Sequence, residues 1–287
     1  MPFASTELAA RIERAECALL REAVAAVAEA HPEHGATILP LGGGVASWSG
    51  DGSPLNKVAG VGFAGALEPE PLAAVERFYA ERGCSVQVEL ATLAHPGIAP
   101  MLTGRGYHLV GFENVLGLDP REDLPADRTP SGVPIQVVES GEEDFRVWLD
   151  TLVAGFLTPD GAGVPAHEEF ARATLEEILG DLARAPGFVR YLAWVDGRPA
   201  GAASMRAVDG VAQLTGAATV PALRRRGVQA ALLTRRLTDA RRVDCDVATV
   251  TTQPGSTSHE NARRNGFELL YVRALLVATP AGEGGVE

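Results

Sequence analysis

Three arginines stand in a row at Arg224, Arg225 and Arg226, followed by Gly227 and an apolar-periodic run, Val228 to Leu233, that reads as a helix. A helix start already carries partial positive charge from backbone N–H groups that have no intrahelical acceptor. Guanidinium groups added there cost stability unless an anion comes to sit among them. Gly227 lets the backbone pass close to a ligand, so that first-turn amides can point at phosphate oxygens while arginine side chains neutralise their charge. A phosphate group is one answer to what the anion is, and a solvated basic helix end is the plainer alternative.

The remainder of the chain makes this cluster stand out. Across 287 residues there are 25 Lys and Arg against 37 Asp and Glu, a formal net charge of −12. Such a balance argues against general nucleic-acid binding, which relies on a basic stripe to release counterions. No apolar run approaches membrane-spanning length, and the N-terminus lacks the charged-then-apolar order of a signal peptide. Cys17, Cys84 and Cys245 are scattered, odd in number and without metal-ligand spacing, so we expect a reducing, cytoplasmic setting with neither disulfide nor metal site. With 46% hydrophobic residues the chain can bury a sizeable core.

The elements that must position the arginines follow from periodicity and turn signals. A helix is expected to about Ala30, with Leu8, Ile12, Ala15, Leu19 and Ala23 at helical spacing. Strands are expected near Thr37–Leu41 and Lys57–Phe63. Between Leu118 and Pro134, a stretch dense in proline and charge reads as a linker. After it come a strand at Pro134–Val138, a helix carrying Phe145, Trp148, Leu149 and Leu152, and another around His167–Leu182. Three strand-like runs then alternate with Asp196-Gly197 and Asp209-Gly210, both hairpin signals, so an antiparallel meander precedes the arginines. Beyond the arginine-led helix lie a strand at Asp246–Thr251, a short helix near Ser258–Asn265 and a last strand at Leu269–Ala278.

This order repeats. The segment from Val58 to Leu90 and the segment from Val211 to Val250 each read strand, loop, helix, strand, and Gly106-Tyr107 parallels Gly266-Phe267 where a helix closes and a final strand opens. The first copy lacks the arginines. The expected division is residues 1–118, a linker at 119–133, and residues 134–287.

Other glycine loops compete for attention. Gly60-x-Gly62-x-x-Gly65 spells a dinucleotide fingerprint. Pro69 and Pro71 delay the following helix, however, so these glycines fall off its first turn. Gly42-Gly43-Gly44 reads as a turn, and no GKS or GKT is present for a P-loop.

The strand, the loop from Thr219 to Leu233 and the following strand resemble the Gcn5-related N-acetyltransferase (GNAT) family, whose pyrophosphate loop reads Gln/Arg-x-x-Gly-x-Gly/Ala before a helix. Arg224-x-x-Gly227 fits its first half; Gln229 stands where the family has Gly or Ala. The resemblance covers about residues 133–278, with the first half as a degenerate copy. It implies an α+β or α/β fold of two tandem GNAT-like halves, with mixed central sheets flanked by helices. It also implies acetyl-CoA as co-substrate, its pyrophosphate on Arg225, Arg226, Gly227, Val228, Gln229, Ala230 and Ala231. The pantetheine arm would lie beside Ala218, Thr219 and Val220.

The reaction so implied is direct attack of a primary amine on the thioester, with no covalent enzyme intermediate. Many family members carry a tyrosine acid four residues before the Gly of Gly-Phe; here that position is Ala262. Ser256, Ser258 or His259 are the substitutes, although Thr257-x-x-Glu260 also reads as a capping box and Ser258 as a helix-end residue. Gln213 and Thr215 fall where the family often has a glutamate base, and neither can serve as one. His167, with Glu168 and Glu169, could reach an acceptor site. Asp160 reads as a turn residue. The acceptor is a small-molecule or peptide amine, and the chain is a monomer or homodimer. The competing reading is a non-catalytic acyl-CoA-binding or regulatory protein on the same fold.

Overall fold

The computed structural model describes residues 4–122, 134–158 and 171–278. In chain order the elements are α1 (Thr6–Ala30), β1 (Thr37–Leu41), β2 (Gly44–Trp48), β3 (Lys57–Ala59), α2 (Pro69–Ala80), β4 (Val86–Ala91), α3 (Ile98–Gly104) and β5 (His108–Leu118). There follow β6 (Ile135–Glu139), α4 (Phe145–Phe156), α5 (Arg172–Leu182), β7 (Phe188–Val195), β8 (Arg198–Val208), β9 (Val211–Gln213) and β10 (Ala217–Thr219). The chain closes with α6 (Val228–Arg242), β11 (Val247–Thr252), α7 (Thr257–Arg264) and β12 (Glu268–Ala278). Among the described residues no helix is long and apolar enough to cross a membrane.

Two compact units emerge, and they do not follow a single cut in the sequence. One holds residues 4–114 together with 271–278, the other the described residues between 115 and 270. The C-terminal part of β12 is therefore a strand of the first unit, where Arg273 to Ala278 pair antiparallel with Ala91 to Val86 of β4.

In that first unit the strand order is β1-β2-β3-β4-β12. Helix α1 opens at Ser5, whose hydroxyl accepts from the Leu8 amide, and it buries Ile12, Leu20 and Val24 as its periodicity requires. It also buries Glu13. Arg273, 3% exposed, donates to Glu13 at 2.8 Å and lies 3.6 Å from both Glu89 and Glu113 and 4.0 Å from Glu16. Lys57 meets Glu89 at 2.9 Å and Glu16 at 3.6 Å, and the Tyr271 hydroxyl donates to Glu13 at 2.7 Å. Four carboxylates thus surround two cations. Burial, and then the neighbouring Glu89 charge, push the Glu113 carboxyl up to about 7, and burial raises Glu13 as well.

In the second unit the order is β5-β11-β9-β8-β7-β6, with β10 pairing β8 off this path. Both predicted hairpins form. Asp196-Gly197 and Asp209-Gly210 all take positive φ, as a two-residue turn matched to strand twist demands. The third run of the meander does not stay whole: it splits into β9 and β10 around Leu214–Gly216. Trp148 anchors α4 by donating from Nε1 to the Ala203 carbonyl at 2.9 Å. At Gly155 an added Cβ would sit 2.4 Å from the Ala218 Cβ, so only glycine lets α4 lie this close to β10.

The sequence repeat is a structural repeat. In one unit β3 pairs in parallel with β4 across α2; in the other β9 pairs in parallel with β11 across α6. The helix ends match bond for bond. Tyr107 N donates to Leu102 O at 3.1 Å and Gly106 N to Thr103 O at 3.1 Å, while Phe267 N donates to Ala262 O at 3.1 Å and Gly266 N to Arg263 O at 3.1 Å. Three expected bounds are sharpened. The glycine triplet is a hairpin whose third member already begins β2. Helix α2 begins at Pro69 itself, because proline suits the first helical position. The helix expected from His167 is seen from Arg172 onward, His167 lying outside the described residues.

Candidate functional site

The site is built where β9 and β11 part. Their parallel pairing runs from Val211 and Val247 to Gln213 and Thr249, and the Leu214 amide still donates to the Thr249 carbonyl at 2.9 Å. Beyond that rung the chain turns away. The Ser204 amide lies within bonding distance of both the Thr215 and Gly216 carbonyls, and β10 then pairs with β8 alone. β11 continues to Thr252, so a gap opens between β10 and β11.

A buried arginine holds this bend. Arg236 of α6, 3% exposed, donates to the carbonyls of Ser204 at 3.2 Å, Thr215 at 3.4 Å and Leu232 at 3.3 Å. Burial lowers its pKa to about 10, which still leaves it charged near neutrality. Its charge is spread over backbone carbonyls of α6, β8 and the bend. The signal was present in the sequence as a cation inside the apolar stripe of α6, one residue before Leu237.

The three arginines have three different fates. Arg224 turns inward, donating to the Thr219 and Gly155 carbonyls at 3.4 Å each and to the Thr158 carbonyl. It caps the C-terminal end of α4, where partial negative charge favours a cation. Arg226 reaches Asp196 at 3.2 Å, an exposed pair of the kind that contributes little and is readily exchanged. Arg225 is exposed, has no protein partner among the described residues, and takes φ 61°, a left-handed conformation uncommon for a residue with a Cβ.

Gly227 follows at φ 88° and serves as N-cap of α6 without any side-chain cap. The amides of Val228, Gln229 and Ala230 are therefore left pointing out of the helix start, with Arg225 and Arg226 flanking them. The Gln229 side chain donates from Nε2 to Thr219 Oγ1 at 3.0 Å, tying the loop to β10. That departure from the family pattern has a structural role. Residues fit for a diphosphate are thus present: uncapped amides, one unpartnered guanidinium and one in a weak exposed pair.

Strand β10 offers one further donor. The Val220 amide is used by Ala200 O at 2.9 Å. By the alternation of an antiparallel ladder, the Thr219 amide faces the other edge, toward the gap. Ala218 shares the parity of Val220.

The candidate proton-handling residues separate widely in role. Ser256 is the N-cap of α7: its hydroxyl accepts from the His259 amide at 3.1 Å and donates to the Gln253 carbonyl at 2.8 Å. Ser258 is exposed on the helix, and Ala262 is buried. Gln213 accepts from Arg206 Nη1 at 3.0 Å in a buried polar pair. His167, with Asp160, Glu168 and Glu169, lies outside the described residues. Thr252, which sequence reasoning passed over, is 6% exposed at the end of β11, and its hydroxyl has no hydrogen-bond partner among the described residues.

Comparison with known proteins agrees with this geometry. Residues 156–267 match the family model described as the acetyltransferase (GNAT) family. No curated protein matches the sequence. Among solved structures, a GCN5-related N-acetyltransferase from Kribbella flavida superposes with a TM-score of 0.64 at 23% identity, covering 95% of this chain and 96% of its own. A GCN5-related N-acetyltransferase from Sphaerobacter thermophilus gives 0.57 at 14% identity, over 77% of this chain and 71% of its own. A tandem GNAT protein from the clavulanic acid biosynthesis pathway gives 0.57 at 14% identity, over 86% and 82%. The chain thus has the GNAT fold, and residues 156–267 match the acetyltransferase (GNAT) family model.

Proposed function

We propose that the protein is an acetyl-CoA-dependent N-acetyltransferase with a single cofactor site, in residues 134–278. The observation that carries this reading is the start of α6, where uncapped amides and a free guanidinium meet on a turn already held in a left-handed conformation. Acetyl-CoA supplies the acetyl group as a thioester. Arg225, Arg226 and the amides from Gly227 to Ala231 would hold its diphosphate. The Thr219 amide lies on the edge of β10 that its pantetheine arm would follow, beside Ala218 and Val220.

The amine nitrogen bonds to the acetyl carbon, the carbon–sulfur bond breaks, and the amine loses a proton while the departing thiolate gains one. Preorganised backbone donors stabilise the oxyanion formed on the way. The chain would need only to place these groups, since a CoA thiolate can take its proton from water. The −12 charge of this chain steers cationic acceptors toward it.

The competing reading, an acyl-CoA-binding protein without turnover, draws on buried Ala262 in the place of an acid and on Ser256 being spent as a cap. Calorimetry with acetyl-CoA tests the shared site: one equivalent bound at micromolar concentration is expected, and no heat at any salt concentration overturns both readings. A panel of amines assayed for CoA release then separates them. Turnover on any amine removes the binding-only reading, and none across amino acids, aminoglycosides and peptide N-termini removes the enzymatic one.

A further inference from the structure

The residues that end α1 carry a second constellation unrelated to the acyl-CoA site. His31, Pro32, Glu33 and His34 occupy four consecutive positions, the last three forming a single 3-10 turn after the helix. The side-chain ligand atoms of His31, Glu33 and His34 all lie within 4.8 Å of one another. His31 Nδ1 is 3.7 Å from Glu33 Oε1, and the two imidazole rings have centroids 5.0 Å apart with an interplanar angle of 16°. Ligands of a tetrahedral ion bound at 2.0–2.1 Å stand about 3.4 Å apart, and two imidazoles sharing such an ion place their ring centres about 5 Å apart.

The backbone beneath these side chains is fixed from several directions. The His31 amide donates to Val27 O at 2.7 Å, the His34 amide to His31 O at 3.0 Å and the Gly35 amide to Pro32 O at 3.3 Å. Trp48 Nε1 donates to the His34 carbonyl at 3.1 Å. A Cβ placed on Gly50 would come within 3.1 Å of the His34 ring, so the ring has a wall on that side. Glu33, by contrast, is 70% exposed and His31 29% exposed, which leaves an approach from solvent and room for a water ligand.

We propose that His31, Glu33 and His34 form a binding site for one zinc-type divalent ion, contrary to the absence of a metal site expected from the cysteines. Two imidazoles and one carboxylate suit Zn²⁺ and its transition-metal neighbours, whereas Mg²⁺ and Ca²⁺ call for shells made of oxygen. An ion held there ties the end of α1 to the segment entering β1, and any ligand that binds only the folded chain stabilises it.

The test is Zn²⁺ titration of the full-length, tag-free protein by calorimetry, with thermal unfolding measured alongside. One Zn²⁺ per chain and a raised unfolding temperature are expected, with Mg²⁺ giving no heat. His31→Gln combined with His34→Gln should weaken binding at least tenfold and abolish the thermal shift, while His108→Gln, at the exposed start of β5, leaves both unchanged. Should the double variant fold poorly, Glu33→Gln carries the same test on a side chain that is mostly in water, with binding at least threefold weaker. Wild-type protein that ignores Zn²⁺, variants that keep wild-type affinity, equal loss in His108→Gln, or comparable binding of Mg²⁺ would each overturn the assignment.

Discussion

Helices α2 and α6 hold the same position within their own units, each connecting two strands that pair in parallel, β3 with β4 and β9 with β11. Their N-termini are chemically opposite. At α6 the approach is arginine, the N-cap is a glycine at φ 88°, and every residue of the first turn keeps its N–H. At α2 the N-cap is Glu68, the first turn contains Glu70, and Pro69 and Pro71 have no N–H to offer. Carboxylates already complement the positive end of α2, and two of its orphan donors do not exist. The same supersecondary unit therefore offers uncapped amides to an anion in one copy and repels anions in the other.

The largest effect should come from attacking the first member of that pair. Charge-assisted hydrogen bonds contribute about 1.5–3 kcal/mol each, so Arg225→Ala with Arg226→Ala should weaken acetyl-CoA by at least about 100-fold in calorimetry, with circular dichroism unchanged. Stoichiometry sharpens the contrast: one acetyl-CoA per chain is expected, and a second equivalent would erase the distinction between the two helices. Glu68→Arg with Glu70→Arg should not create a second site, because charge alone does not restore the missing amides.

How far these differences could be read from sequence depends on how local their causes are. Both Asp-Gly hairpins, the Gly-aromatic helix ends and the face of α1 were legible, because each is settled within a few residues by turn chemistry or periodicity. Strand β2 was not. All five of its residues are buried, so Gly44 to Trp48 show no alternation, and the glycines before it read only as a turn. The run from Val211 to Val220 looked like one strand because the carbonyls that break it are held by Ser204 and Arg236, which lie elsewhere in the chain. At the site, the sequence could mark three arginines but not distinguish them: Arg224 is drawn away by the end of α4, some seventy residues upstream. The charges of Glu13 and Glu16 sit on a helix face whose partners, Lys57, Glu89, Glu113 and Arg273, only the fold assembles.

That buried network is the second contrast between the units and predicts a smaller, pH-dependent effect. Arg236 in one unit is satisfied by neutral carbonyls, whereas in the other Glu113 shares Arg273 and Lys57 with three more carboxylates. A carboxyl raised to about 7 by burial and by Glu89 binds its proton more tightly folded than unfolded. Its contribution to stability is thus fully present below the ordinary glutamate value and is lost as pH rises through about 7. Scanning calorimetry should show the unfolding temperature falling from about pH 5 to pH 7 and levelling off by pH 8, with a slope of at most about 1.4 kcal/mol per pH unit for one proton. Glu113→Gln should flatten that slope and leave the protein more stable than wild type at pH 8. An unchanged slope would mean that the network carries no extra proton.

The smallest effect concerns α7 and α3, the short helices that precede the matched Gly-aromatic ends. Helix α7 begins at Ser256, whose hydroxyl both accepts from the His259 amide and donates to the Gln253 carbonyl, whereas α3 begins at Gly97 with no side-chain cap. A hydroxyl engaged at both ends is poorly placed to pass a proton to a leaving thiolate. Ser256→Ala should therefore cost about 1 kcal/mol of stability, the usual penalty for an N-cap, and change kcat by less than about threefold, since no transition-state contact is lost. A kcat reduced a hundredfold with stability intact would make Ser256 a catalytic residue instead, and would mean that α7, unlike α3, keeps its cap for chemistry.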